Sequence, residues 1–519
     1  MIPRPKRRQV SISKSIPPPV GGLNAREALA EMPISDAVVM DNWFPETSSV
    51  KVRKGCVSWA TGFPGRVESI MAYRSGTQEQ LFGAADDGIY DATSQGAIGA
   101  AEVSGFTSAR WQHVNMGTAG GQFLLCANGA DPMQIYDGST WAAASITGVT
   151  GGTDTIINLN LHKERLWMIQ ANSMKTYYLA VQSIAGAAQP YDLSAYFRRG
   201  GHLIQMATWS TDGASGIGVQ DMAVFISSEG EVAVYNGTDP SSGDTWSLVG
   251  IFYIGRPIGN RPLCKFGADL LIITAQGVFP LSKALLVDKG SLQDAVSNKI
   301  VNLINEDVQA YSANFGWELI VSPIDNMLIV NVPTSSTPSV FKSYQYVMNT
   351  ITGAWCRFTG WRAVCWELLD DSLYYGSTTS IFKANSGQTD NGADIKADCL
   401  QAFSSFGEKA REKYFTMARL ALQTDAKLTP GIGLNLDFNI RPINTVSNLT
   451  PPDGVSSFWD TSPWDTTYWN QGDVFVLQRN WQTVQGIGYY AALRVQISAR
   501  NSNIRWAGSD IVFEPGGVL

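Results

Sequence analysis

The stretch Leu81-Phe82-Gly83-Ala84-Ala85 is apolar, Asp86-Asp87-Gly88 is a polar turn, and Ile89-Tyr90 leads back on an aromatic residue. Asp and Gly suit such a turn because tight hairpins that follow strand twist need residues at positive φ. The same grammar recurs downstream. Phe123 to Cys126 turns at Asn128-Gly129 and returns as Met133 to Tyr136. Leu166 to Ile169 turns near Asn172-Ser173 and returns through Tyr177-Tyr178. Val224 to Ile226 turns at Glu229-Gly230 and returns as Val232 to Tyr235, and Leu271 to Ile273 turns at Gln276-Gly277 into Val278-Phe279. Leu328 to Val330 leads through a Ser/Thr/Pro loop to Tyr344 to Val347, and Leu373 to Tyr375 returns as Ile381-Phe382.

The first strands of these hairpins are spaced by 42, 43, 58, 47, 57 and 45 residues. A step of ~40–50 residues is that of a four-stranded propeller blade. The fold class expected is therefore mainly β: a β-propeller over residues 65–395, of six blades or seven. Six is favoured because one hairpin can belong to an insertion; a β-sandwich pair or a β-helix is the alternative. The long steps call for insertions, and residues 291–308 carry Ile300, Leu303, Ile304 and Val308 at helical spacing. Trp141, Trp246 and Trp355 each follow a returning strand and are expected to pack between adjacent blades.

Outside the repeat, residues 1–22 read as a basic extended arm stiffened by Pro17-Pro18-Pro19. Residues 23–64 lead into the sheet, with a short helix expected from Asn24 to Glu31 and an edge-like strand at Val50-Lys51-Val52-Arg53. Beyond residue 396, strand-like runs at 415–422, 434–439, 474–477, 489–497 and 511–513 predict an additional C-terminal antiparallel β domain, 396–519. Within it the loop 457–469 carries Trp459, Trp464 and Trp469, a spacing of neither helix nor strand. So many tryptophans need cover, which makes them candidates for a subunit interface.

Charge divides the chain in two. The net charge is −7, yet Arg4, Lys6, Arg7, Arg8 and Lys14 give the first fourteen residues +5, which leaves −12 on the remainder. Those five cations are the candidate contacts to DNA or to an acidic neighbour; the acidic body is a poor tight binder of a polyanion. A basic arm and an acidic body also supply the two complementary patches that a ring of like subunits requires. No apolar run is long enough to span a membrane as a helix, and the basic start lacks the apolar core of a secretory signal.

Catalytic signals are weak. The six cysteines are scattered without a CxxC pair and read as buried free thiols, and His113, His162 and His202 stand far apart, so no metal or cofactor is called. P-loop, HExxH and GxSxG motifs are absent. Asp86-Asp87 and Asp370-Asp371 are adjacent pairs beside turns, where Asp is favoured for backbone hydrogen bonding. No arginine cluster able to clamp a carboxylate is visible in the repeats. The expectation is a non-enzyme; the alternative is a carbohydrate-binding (receptor-binding) or glycosidase-like propeller.

The two ends carry a resemblance. Val20-Gly21-Gly22-Leu23-Asn24-Ala25-Arg26-Glu27, Asp36 to Pro45 (DAVVMDNWFP) and Arg53-Lys54-Gly55 resemble the opening of a family of short-tailed bacteriophage (podovirus) tail nozzle or hub proteins. The WDTSPWDTTYW segment, Trp481 to Gly488 and the terminal Glu514 to Leu519 are similar to that family's ending. The resemblance implies a β-propeller ring element below the portal and adaptor proteins, a homohexamer around the channel that retains genomic double-stranded DNA and conducts it during ejection. It further implies tail fibre or spike neighbours, no cofactor, and a place in the virion tail after synthesis in the host cytoplasm.

Overall fold

The structure is a computed structural model that describes residues 11–76, 78–212, 219–284, 295–335, 337, 341–425, 430–443, 476–478 and 480–516. It is mainly β and divides into two compact units. Unit 1 comprises residues 1–57, 346–361 and 385–519; unit 2 comprises 58–345 and 362–384.

In unit 2 the hairpins of the repeat each form part of a largely antiparallel sheet. The first sheet joins Val67–Arg74, Glu79–Ala85, Gly88–Asp91 and Val103–Ser104; the second joins Gln112–Thr118, Gly121–Ala127, Gln134–Tyr136 and Trp141–Ala143. The third runs Ile156–His162, Arg165–Gln170, Lys175–Tyr178, Gln189–Asp192, and the fourth Leu203–Asp212, Val219–Ser227, Glu231–Gly237, Trp246–Tyr253. Leu263–Phe266, Asp269–Thr274 and Gly277–Pro280 make the fifth. The sixth begins with Glu318–Ser322 and Met327–Pro333, and the seventh with Cys365–Leu369, Ser372–Gly376 and Ser380–Ala384.

The first strand of each sheet contacts the first strand of the next, or its hairpin partner, and the seventh contacts the first. The sheets therefore succeed one another in a closed ring. Closure is also covalently distant: the outer strand of the seventh sheet is Cys56–Thr61, supplied from the other end of the unit. Apolar cores lie between neighbouring sheets rather than in one centre. Trp141 packs edge-on to Phe82, with ring centroids 5.1 Å apart, between the first and second sheets. Trp246 stacks on Trp167 at 5.6 Å and on Tyr235 at 5.4 Å between the third and fourth. Such stacks favour tight apposition of two sheets.

The helical insertion is present as Val301–Tyr311, burying Val301, Ile304 and Val308. Other expectations need correction. Trp355 is buried on Trp355–Thr359, a strand that pairs with Ser343–Asn349 and carries one parallel bridge to Asp36–Asp41. Residues 24–31 are turns rather than helix, since Asn24 Oδ1 captures the amides of Arg26 and Glu27 at 3.1 and 3.2 Å. Val50–Val52 is interior: it pairs with Trp43–Pro45 on one side and with Arg505-Trp506 on the other, burying both valines.

Unit 1 is assembled from distant stretches. One of its sheets runs Val476–Gln478, Lys413–Thr424, Ile504–Pro515, Val50–Val52, Trp43–Pro45. The supposed arm joins it: Ile12–Ile16 pairs antiparallel with Ser509 to Phe513, and Ile16, Pro18 and Pro19 are buried. A second set runs Trp355–Thr359, Asp36–Asp41, Ile395–Gln401, Ala491–Ala499, Gly431–Leu436. Trp43 and Trp506 meet edge-on at 5.7 Å, both fully buried. Among the described residues no helix is long and apolar enough to cross a membrane.

Candidate functional site

The first strands of the seven sheets bring charged side chains to the middle of unit 2. Arg261 precedes the first strand of the fifth sheet, and Glu318 opens that of the sixth. Arg261 Nη1 lies 3.3 Å from both Glu318 carboxylate oxygens, and its Nη2 donates to the carbonyl of Trp111 at 2.8 Å. Glu318 Oε2 also accepts the amide of Trp366, in the seventh sheet, at 3.0 Å. Three of these groups come from sheets five, six and seven, and the fourth from the approach to sheet two, so Arg261 reaches across the ring. Burial pushes the Glu318 carboxyl up, with Arg261 and the Trp366 amide pulling it back. Burial likewise opposes the Arg261 charge, but Glu318, Cys365 and Glu367 together outweigh it and push its pKa up. A pair this buried persists only because every partner is present.

A second group continues the crossing. Glu367 Oε1 accepts from Arg74 Nη2 at 3.2 Å, and its Oε2 lies 3.3 Å from His113 Nε2. Burial pushes the Glu367 carboxyl up to about 7, with Arg74 pulling back. Burial, with Arg261 and Arg74 nearby, pushes His113 down to about 3. His113 is therefore neutral at neutral pH while Glu367 titrates there. At this level side chains from several sheets of the ring meet one another.

In unit 1 the conspicuous cluster is a clamp. Asn42 adopts φ 59, a left-handed conformation that Asn tolerates, which turns its amide inward. Its Oδ1 accepts from Arg53 Nε and the amide of Thr359, each at 2.8 Å, and its Nδ2 donates to Thr359 Oγ1 and the carbonyl of Lys396. Arg53 forks onto Asp390 at 2.7 and 2.6 Å, donates to the carbonyls of Lys54 and Thr359, and stacks 4.8 Å from the Trp361 ring. Gly55 is required beside it, since a Cβ there would stand 1.8 Å from the carbonyl oxygen of Thr389. Two further carboxylates, Asp41 and Asp398, face each other across paired strands. Such a like-charge pair is unfavourable; here Arg357 holds Asp41 bidentately at 2.7 Å and Arg494 holds Asp398 at 2.9 and 2.6 Å. A cavity of about 420 Å³ lies against them, with both carboxylates already committed to arginines.

Of the residues singled out from sequence, Lys14 lies exposed on Ile12–Ile16, opposite Ile511. Arg4, Lys6, Arg7 and Arg8 lie outside the described residues, as do Trp459, Trp464 and Trp469. Asp86, Asp370 and Asp371 sit at positive φ of 54, 45 and 54, holding turns. The cysteines are free; burial pushes Cys365 up to about 12 and Cys126, Cys356 and Cys399 well above the ordinary thiol range. Burial pushes His162 down to about 4, its Nδ1 3.1 Å from Thr208 Oγ1. Among the described residues no three His, Cys, Asp or Glu side chains gather as metal ligands.

Arginines that the linear sequence scatters are ion-paired in the ring: Arg66 and Arg110 with Glu68, Arg74 with Glu367, and Arg261 with Glu318. The linear sequence hides this arrangement, because Arg261 and Trp111 are 150 residues apart. The available signal was positional: each charge sits on, or just before, a first strand that precedes a repeat hairpin.

No protein-family model matches the chain, and no curated protein does. Solved structures with detectable likeness include BBS1N in complex with ARL6DN, at 10% identity and TM-score 0.37, covering 64% of this chain and 96% of that one. Saccharomyces cerevisiae Sqt1 aligns at 10% identity and TM-score 0.38 over 67% and 96% of the two chains. Chaetomium thermophilum Raptor aligns at 10% identity and TM-score 0.41, over 67% of this chain and 30% of that one. At these scores they carry no functional argument.

Proposed function

We propose that this chain is a structural subunit of a short-tailed phage tail, the nozzle or hub below the portal and adaptor. In this reading unit 2 is a seven-bladed β-propeller that serves as wall rather than as bore. The observation that carries the reading is the buried crossing of Arg261 to Glu318 and to the Trp111 carbonyl, which ties sheets together across the ring. A ring tied in this way is a rigid block, so a DNA channel has to be formed between copies, six in the arrangement that the resemblance implies.

The motif residues support the same reading in another way. Asp41, Asn42, Arg53 and Gly55, which carry much of the resemblance, form the clamp of unit 1 and are engaged with one another's strands. A motif of that kind preserves a scaffold rather than a reaction. The acidic remainder of the chain also suits a channel wall, since a polyanion finds few cations there to hold it.

Gold-antibody labelling of this chain on intact phage particles from its source tests the proposal. Label at the DNA exit of the tail is the expected result. Unlabelled particles, with the chain free in the lysate, would overturn it and redirect attention to glycan binding and glycosidase assays.

A further inference from the structure

At one end of the unit 2 ring, two arginines share a single carboxylate. Glu68 Oε1 accepts from Arg66 Nε at 3.1 Å, and Glu68 Oε2 accepts from Arg110 Nε at 3.0 Å. The trio therefore keeps one positive charge in excess. Both guanidiniums lie over Phe315, Arg110 at 4.2 Å and Arg66 at 5.9 Å, and Arg66 also lies 5.7 Å from Phe341. Stacking and the Nε bond fix the plane of Arg110 while its side chain stays 45% exposed. Its two terminal nitrogens find no acceptor among the described residues, which leaves a pre-oriented fork.

Two cavities meet at Arg110. The larger, about 550 Å³, also holds Arg66, Glu68 and Asp86, so its charges balance. In the smaller, about 240 Å³, the other charges are Arg261 and Glu318, which are already paired, and Asn260 adds a polar wall. Arg110 is thus the one charge of the smaller cavity whose partner, Glu68, lies outside it. A planar fork of two N–H donors without a protein acceptor matches a carboxylate, and the volume admits one acidic side chain or a small dicarboxylic acid.

We propose that this cavity is a carboxylate-binding site in which Arg110 makes a two-pronged contact with the ligand. The site stands on its own geometry and does not depend on the phage-tail reading. Its ligand is a carboxylate presented by a free dicarboxylic acid or by an acidic segment of a protein.

Calorimetric titration of the full chain with succinate, with hexaglutamate and with inorganic phosphate tests it. Saturable one-to-one binding of succinate or hexaglutamate is expected, weakened by roughly tenfold or more in Arg110→Lys, which keeps the charge but loses the fork, and abolished in Arg110→Ala. Tighter binding of hexaglutamate points to a protein segment as the natural source; tighter binding of succinate points to a free acid. Matching denaturation curves for the three proteins certify that the fold is intact, and Phe315→Leu, which removes the stacking plate alone, should also weaken succinate. The proposal is overturned by failure of both carboxylates to saturate, by affinity unchanged in Arg110→Ala, or by phosphate binding as tightly as succinate.

Discussion

Unit 2 is built from hairpins whose strands are neighbours in sequence, whereas unit 1 is stitched from three separate stretches of the chain. In unit 2 most hydrogen-bonded strand pairs are closed by a short connection, although the seventh sheet takes Cys56–Thr61 from afar. In unit 1 the pairings are long-range: Ile12–Ile16 binds Ser509 to Phe513, and Arg53 reaches Asp390, 337 residues away. Local pairing makes a fold readable and cheap to close, because loop entropy grows with separation. Long-range pairing concentrates stability in a few buried polar knots. The two units share one device all the same: each has an arginine that bonds several strands at once, Arg53 in one and Arg261 in the other.

Those arginines offer the strongest way to break the comparison. Arg53→Ala leaves Asp390 and Asn42 without their donor, and Glu318→Ala leaves Arg261 buried without its carboxylate. Each is expected to destabilise by about 3–5 kcal/mol, read from urea denaturation. Hydrogen exchange should show the losses in unit 1 and unit 2 respectively; a change confined to the wrong unit would contradict their separate roles.

Trp246→Ala acts on the ring alone. It removes the ring stacked between Trp167 and Tyr235 and should cost about 3–5 kcal/mol, followed by tryptophan fluorescence during unfolding. The opposite signs of Glu367 and His113 sharpen the contrast by pH. Glu367, raised from 4.5 to about 7, binds more protons folded than unfolded, so its contribution is full below pH 4.5 and is lost as pH rises through 7. His113, lowered from 6.5 to about 3, contributes above pH 6.5 and loses that contribution as pH falls towards 3. Glu367→Gln should therefore gain on the parent by roughly 3 kcal/mol between about pH 5 and about pH 8, as denaturation midpoints would report. Lys14→Glu marks the small end of the scale: the residue is exposed on its strand, and the melting curve should shift by no more than about 0.5 kcal/mol.

The same contrast explains what was legible in the sequence. Hairpins such as Glu79–Ala85 with Gly88–Asp91 announce themselves by short apolar runs and by turn residues that accept positive φ, as Asp86 does. Strand identity was legible in unit 1 too, at 413–424 and 491–499, but not the partners, since register between distant strands leaves no local trace. The turn after Asn24 defeats a helical reading because one side chain captures two amides. Val50–Val52 looks like an edge because Lys51 is polar, yet that lysine reaches Glu46 at 2.9 Å and lies over Phe44, leaving its neighbours buried in the sheet. The ring-centre cluster was invisible for a different reason: its members are single charges in apolar surroundings, and only closure of the ring brings them together.

Electron cryomicroscopy of intact tails bears most directly on the central claim, that the ring of unit 2 is a wall element tied across by side chains. The account predicts DNA density running between copies of the chain, with the Arg261 and Glu318 side chains meeting inside each ring. DNA density threading the middle of unit 2, with those side chains parted, would contradict it.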